Sequence, residues 1–135
     1  MTAGIFVLGG HQTDFARNYA REGLEVSDLV AEVVSGTLAD ATVEPAAIET
    51  LHVANAFGQL FNGQGHLGAM PATVEPGLWG VPASRHEAAC ASGGVAILAA
   101  MAQPFLLEGR EVFVTASIGI ALYPEDGQEL SQLMK

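Results

Sequence analysis

Basic residues are scarce in this chain: five Lys and Arg stand against fifteen Asp and Glu among 135 residues, for a net charge of -10. The five (Arg17, Arg21, Arg85, Arg110 and Lys135) form no run. Nucleic acid is therefore excluded as an expected partner, because affinity for DNA or RNA comes mostly from neutralising phosphates. A phosphate-bearing ligand would have to be held by backbone amides and helix N-termini instead. Long apolar runs are also missing. None reaches the ~18 residues a membrane helix needs, and the first residues lack the basic and apolar segments of a secretory signal. The expectation is a cytoplasmic protein with no membrane partner. Cysteine occurs once, as Cys90, so no internal disulfide is possible and the thiol is free.

Half of the residues are hydrophobic. At this length a single domain buries roughly two-thirds of its unfolded surface, so a real core is expected. Residues 5–10 form a short apolar run closed by Gly9 and Gly10. Val26, Leu29, Val30, Val33, Val34, Thr37, Leu38 and Ala41 then recur at helical spacing, which predicts a helix ending before Val43-Glu44-Pro45. Residues 51–57 are a second strand candidate. Strand, helix and strand in that order suggest a parallel crossover.

Residues 58–80 are rich in Gly and Pro and lack clean periodicity, which predicts a long excursion with a short helix near residues 67–70. A third strand over residues 81–88 delivers Cys90, and residues 92–103 are helical. From 111 to 123, Val112, Val114, Ala116, Ile118, Ile120 and Leu122 alternate with their neighbours at period two, predicting a fourth strand. Asp126-Gly127 is a turn, and Leu130, Leu133 and Met134 begin a helical stripe. The fold class expected is α/β: one domain over residues 1–135, with a mainly parallel sheet of about four strands and helices on both faces.

The stretch Glu87-Ala88-Ala89-Cys90-Ala91-Ser92-Gly93-Gly94 places the cysteine on a tight, small-residue turn leading into an apolar helix. A thiol attacks as its thiolate, which is a minor species at neutral pH for a free cysteine of pKa ~8.5. A helix N-terminus contributes roughly 0.3 to 1 kcal/mol, at most ~2, against ~1.4 kcal/mol per pKa unit, so the dipole gives about one unit and a base is still wanted. His86 is a poor candidate, since four residues of extended chain span roughly 13 Å against the ~3 Å of a hydrogen bond. His11, His52 and His66 read as structural or loop residues, and their spacing along the chain suggests no metal site. Gly63-Gln64-Gly65-His66-Leu67-Gly68 fits G-x-G-x-x-G in form. It lies too far beyond the strand to serve dinucleotide binding, and its glycines suit a loop near the thiol or a subunit contact. Glu87 suits a solvated or capping role.

Three stretches in order carry a family resemblance: residues 7–17, then Asn55-Ala56-Phe57-Gly58 with residues 63–68, and the cysteine turn at 87–94. Over residues 1–101 the chain resembles the N-terminal half of a thiolase, in particular acetyl-CoA acetyltransferases of the sterol-carrier-protein-linked, thiolase-like group. The resemblance implies that Cys90 takes an acyl group from an acyl-CoA, which is substrate and not a bound cofactor, and that the protein is a homo-oligomer. Thiolases draw a catalytic histidine and a second cysteine from their C-terminal half, and these residues have no counterpart here. Residues 104–135, notably 114–127, resemble the late part of a GGDEF-type diguanylate cyclase domain but lack that family's Gly-Gly-Asp/Glu-Glu-Phe turn. The expected function is thus an incomplete thiolase-type acyl transfer through Cys90. The alternatives are a non-catalytic chimeric or truncated α/β module and, more weakly, a cyclic-dinucleotide signalling fragment.

Overall fold

The computed structural model describes residues 6–102 with their side chains, and the backbone of residues 105–107 and 110–112. The chain divides into two compact units, Met1–Ala100 and Met101–Lys135.

In the first unit, helix α1 spans Val26–Ala41, as its apolar spacing predicts. It starts where the Asp28 carboxylate accepts from the Glu25 N–H at 2.8 Å, and the acidic side chain also suits the positive end of the helix. It stops at Thr42, whose φ of 54° is left-handed, with the N–H groups of Thr42 and Val43 closing onto the Ala39 and Leu38 carbonyls. A β-branched residue is costly in that conformation, so the stop is maintained by Pro45, which cannot continue a helix.

Strand β1 covers Leu51–Ala54 and is followed by helix α2 (Gly58–Asn62), a tight turn at Leu67–Ala69, helix α3 (Met70–Val74) and strand β2 (Ala83–His86). The two strands pair in parallel, with Leu51 opposite Ala83 and Ala54 opposite His86. A parallel pair needs a crossover of a dozen or more residues, and the excursion between the strands supplies it. The core sits under this excursion. Leu67, Met70 and Leu78 are buried, with Leu78 only 2 % exposed, together with Ala96 of helix α4 (Ser92–Met101). Gly68 lets the turn at Leu67–Ala69 lie directly on β2, because a Cβ there would stand 2.9 Å from the Ser84 carbonyl carbon. The stripe of α1 faces β1 across an apolar groove of about 600 Å³, and α1 itself has no fully buried residue.

Two differences from the sequence expectation have physical causes. Residues 6–10 form no strand: the Gly10 N–H donates to the Asp40 carboxylate at 2.9 Å, and Gly9 presses against the backbone of Ala41, so the segment is spent on the end of α1. In the second unit, strands β3 (Phe105–Leu107) and β4 (Arg110–Val112) pair antiparallel. Only two residues separate them, enough for a hairpin and far too few for a parallel crossover. The described strands therefore form one two-stranded parallel sheet and one two-stranded antiparallel sheet, and no four-stranded parallel sheet is seen among the described residues. Most of the strand expected over 111–123 lies outside the described residues.

Candidate active site

Cys90 lies two residues ahead of α4 and is exposed. The turn that presents it rests on Ala89, whose φ of 47° is left-handed, a conformation that an L-residue bearing a Cβ adopts at a cost of roughly 1–3 kcal/mol. The turn is closed by the Ala91 N–H on the Ala88 carbonyl (2.9 Å) and the Ser92 N–H on the Ala89 carbonyl (3.2 Å).

Ser92 pins this arrangement from inside. Its side chain is buried, and its Oγ accepts from the Ala88 N–H at 2.8 Å. Its single hydroxyl proton is placed between two acceptors, the Asn55 carbonyl of the chain just after β1 at 2.8 Å and the Ala89 carbonyl at 2.7 Å. One hydroxyl thereby joins both strands' ends to the cysteine turn. Asn55 is anchored further by its N–H on the His86 carbonyl (3.1 Å) and by its Oδ1, which accepts from the Gly58 N–H (2.9 Å). Its Nδ2 is buried without a partner among the described residues, an orphan donor worth about 1–3 kcal/mol to whatever satisfies it.

Glu87 does not face the thiol as a free carboxylate. One oxygen accepts from the Phe57 N–H at 3.2 Å and the other from Arg85 Nη2 at 2.6 Å, so it ties the start of α2 to β2. Arg85 also donates to the Gly65 carbonyl at 2.9 Å. This bond holds the glycine-rich stretch against β2. Phe57, Gln59, Leu60, Arg85 and Glu87 together line an open pocket of about 470 Å³.

None of the four histidines forms a hydrogen bond with Cys90 among the described residues. His11 reaches Glu32 at 3.4 Å, His66 is exposed, and His52 and His86 engage each other across the β1–β2 ladder at 3.0 Å. The last pairing escapes sequence reading because 34 residues separate its members.

Residues 5–114, which include the cysteine turn and both strands of the parallel pair, match the Thiolase, N-terminal domain. The chain belongs to the thiolase family. The match runs past residue 101, where the likeness visible in the sequence ends, and reaches into β4 and beyond. An acetyl-CoA acetyltransferase of Methanothermobacter thermautotrophicus is 36 % identical over 93 residues, which are 69 % of this chain and 23 % of that protein. The thiolase-like chain thus spans less than a quarter of that relative's length. A cyclic di-GMP phosphodiesterase of Pseudomonas aeruginosa is 46 % identical over 35 residues, 26 % of this chain and 4 % of the other. Among the described residues no helix is long and apolar enough to cross a membrane.

Proposed function

We propose that this chain supplies the acyl-accepting half of a thiolase-type acyl transfer, with Cys90 as the nucleophile and an acyl-CoA as the acyl donor. The carrying observation is the exposed thiol on a strained turn at the start of α4, inside a thiolase N-terminal domain. The Cys90 thiolate attacks the thioester carbonyl carbon, the carbonyl oxygen becomes an oxyanion held by backbone N–H groups at the helix start, and the carbon–sulfur bond to coenzyme A then breaks. The acyl group remains on Sγ and coenzyme A leaves as its thiolate, to be protonated by solvent. Acyl release to a second substrate calls for the proton transfers that the C-terminal half of a thiolase provides, worth roughly 10²–10⁴-fold. Single acylation without turnover is the expected behaviour of these 135 residues.

Incubation with acetyl-CoA, followed by intact-mass analysis and peptide mapping, tests this. One acetyl group on the peptide containing Cys90, absent in Cys90→Ser, is the expected result. Quantitative recovery of unmodified Cys90 under conditions where iodoacetamide alkylates it would leave the non-catalytic module as the better account. The short likeness to the phosphodiesterase gives a cyclic-dinucleotide role less support, because the G-G-D/E-E-F turn is absent from the sequence.

A further inference from the structure

The pair of histidines on the parallel ladder has no part in the chemistry assigned to Cys90, yet it sits on the strands that carry the cysteine turn. His52 on β1 stands opposite Ser84 on β2, and His86 lies two residues further along the same strand, so the three side chains share one face of the sheet. His52 Nδ1 and His86 Nε2 are 3.0 Å apart in a direct hydrogen bond. One ring must therefore supply the N–H and the other the lone pair. Ser84 Oγ lies 3.1 Å from the first nitrogen and 2.9 Å from the second, and Thr50 Oγ1 lies 3.1 Å from the far nitrogen of His52. The rings are stacked with their centroids 5.2 Å apart.

We infer that His52 and His86 form a pH-sensitive latch: neutral or singly protonated, the pair ties β1 to β2, and a second proton forces the rings apart and loosens the cysteine turn. Without an added proton the pair shares an ordinary hydrogen bond, and with one proton a charge-assisted bond, so both states hold. The second proton removes the last lone pair between the facing nitrogens. Ser84 Oγ can accept from either N–H, but a neutral hydroxyl brings no charge to offset the repulsion of two imidazolium rings. Among the described residues no carboxylate pairs with either ring. Arg85 and Glu87, on either side of His86 in sequence, pair with each other at 2.6 Å, and Glu49 ahead of Thr50 is exposed. The turn at Leu67–Ala69 packed on β2 carries no charged residue, and His66 before it is exposed. Helices α3 and α4 carry no titratable side chain. On α1, Asp28 accepts from the Glu25 N–H, Asp40 from the Gly10 N–H, and Glu32 from Arg17 and Tyr19 with His11 at 3.4 Å.

Burial, and after it the neighbouring His86, lower the pKa of His52. Against an ordinary imidazole value of about 6.5, a lowered folded value means that the unfolded chain binds more protons below that pH. The stability from the pair is thus present above pH ~6.5 and is lost as pH falls through the folded value. The loss has a direction in the structure. Asn55, the residue after β1, donates its N–H to the His86 carbonyl at 3.1 Å, and its own carbonyl accepts from the Ser92 hydroxyl that pins the cysteine turn. Opening the pair therefore reaches the turn through two hydrogen bonds. This coupling belongs to the scaffold and holds whether or not Cys90 takes an acyl group. Along the chain the two histidines are too far apart to be read as a motif. The parallel register alone brings them together.

Two measurements on the full chain test this. Ring-proton NMR from pH 8 to pH 5 should show His52 and His86 titrating as a coupled pair, the second proton entering at least about one pH unit below the first, where independent rings would each titrate once at about 6.5. Amide exchange at Asn55 and Ala88, corrected for its intrinsic rate, should accelerate below pH ~6.5 by up to about tenfold per pH unit, the slope of one withheld proton. This range stays above the ordinary carboxyl value of 4.5, below which Glu22 and Glu32 act. His86→Gln keeps a nitrogen near the Nε2 position, and its amide offers an N–H or a carbonyl to a neutral or a charged His52 alike, so it should flatten the acid response. His52→Asn makes the same change from β1 and serves if the first variant does not fold. Independent titration of the two rings, exchange unchanged between pH 7 and pH 5, or an equal acid response in a folded variant would each overturn the latch.

Discussion

Removing one oxygen atom, by Ser92→Ala, should reveal how the cysteine turn is held. Ser92 is 4 % exposed, and its Oγ stands between the Ala88 N–H and the carbonyls of Asn55 and Ala89. Alanine keeps the helix propensity and most of the volume, so the change isolates the hydrogen bonds. The Ala88 N–H loses its partner, and so does the one carbonyl that the hydroxyl proton serves at a time. Leaving a buried polar group unsatisfied costs about 1–3 kcal/mol, and partial access of water to the turn favours the middle of that range, about 2 kcal/mol. For a unit of this size (Met1–Ala100) each kcal/mol lowers Tm by roughly 4–8 °C, so the expected drop is roughly 8–16 °C. Thermal and urea melts followed by far-UV circular dichroism measure it, and amide exchange at Ala88 supplies a local readout that should accelerate in the same variant. A change below about 0.5 kcal/mol, the ordinary effect of a neutral surface substitution, would refute the idea that this hydroxyl organises the turn.

Also in the first unit, Gly93→Ala and Gly94→Ala should each stabilise by about 0.5–1 kcal/mol, because a Cβ at either position meets nothing within 4 Å and a helix favours alanine over glycine; a destabilised melt would show that another surface occupies this face. Acid should weaken the attachment of residues 11–24 to α1: the hydrogen bond from Arg17 holds the Glu22 carboxyl below its usual range, and those from Tyr19 and His11 do the same for Glu32. A lowered carboxylate pKa gives stability that is present above the ordinary value of 4.5 and lost as pH falls through the lower folded values, so Glu32→Gln should flatten the stability curve below pH 4.5, and parallel curves for the two proteins would contradict this. Self-association is also expected, since Phe15, Phe61 and Leu60 are 85 %, 80 % and 78 % exposed. The charge of -10 opposes it, so sedimentation should show an oligomer favoured by added salt; a monomer across the micromolar range at every salt concentration would sink the prediction.

How much of this was legible in the sequence depended on the distance over which each feature is decided. Helix α1 was readable to its last residue because an apolar stripe and the Val43-Glu44-Pro45 stop both act within a few positions of it. β1 and β2 were readable as strands, but their ends were not: beyond Ala54 and His86 the backbone groups are taken by the turn and by Ser92. The apolar run before Gly9-Gly10 looked like a strand by composition. Asp40, thirty residues away, claims the Gly10 N–H that a ladder would have used. The hairpin of β3 and β4 was missed for the opposite reason, since each strand is three residues long and too short to show a period.

The candidate site divides in the same way. Cys90, with its run of small neighbours, marked a tight turn into a helix, and the structure has one. Which residue would carry the left-handed conformation was not marked, because the sequence offers Ala89 where a glycine would have announced it. A turn built on alanine is held from outside itself, and here the restraint is the bond from Ser92 to the Asn55 carbonyl across 37 residues. That dependence runs in both directions: the strand that delivers the cysteine is also completed by the turn, so the excursion over residues 58–80 can vary only where it leaves Asn55, Arg85 and Glu87 in register. The residues that carry this constraint are Asn55 and Arg85 at the two ends of the excursion, together with Gly68, where a Cβ would meet the β2 backbone.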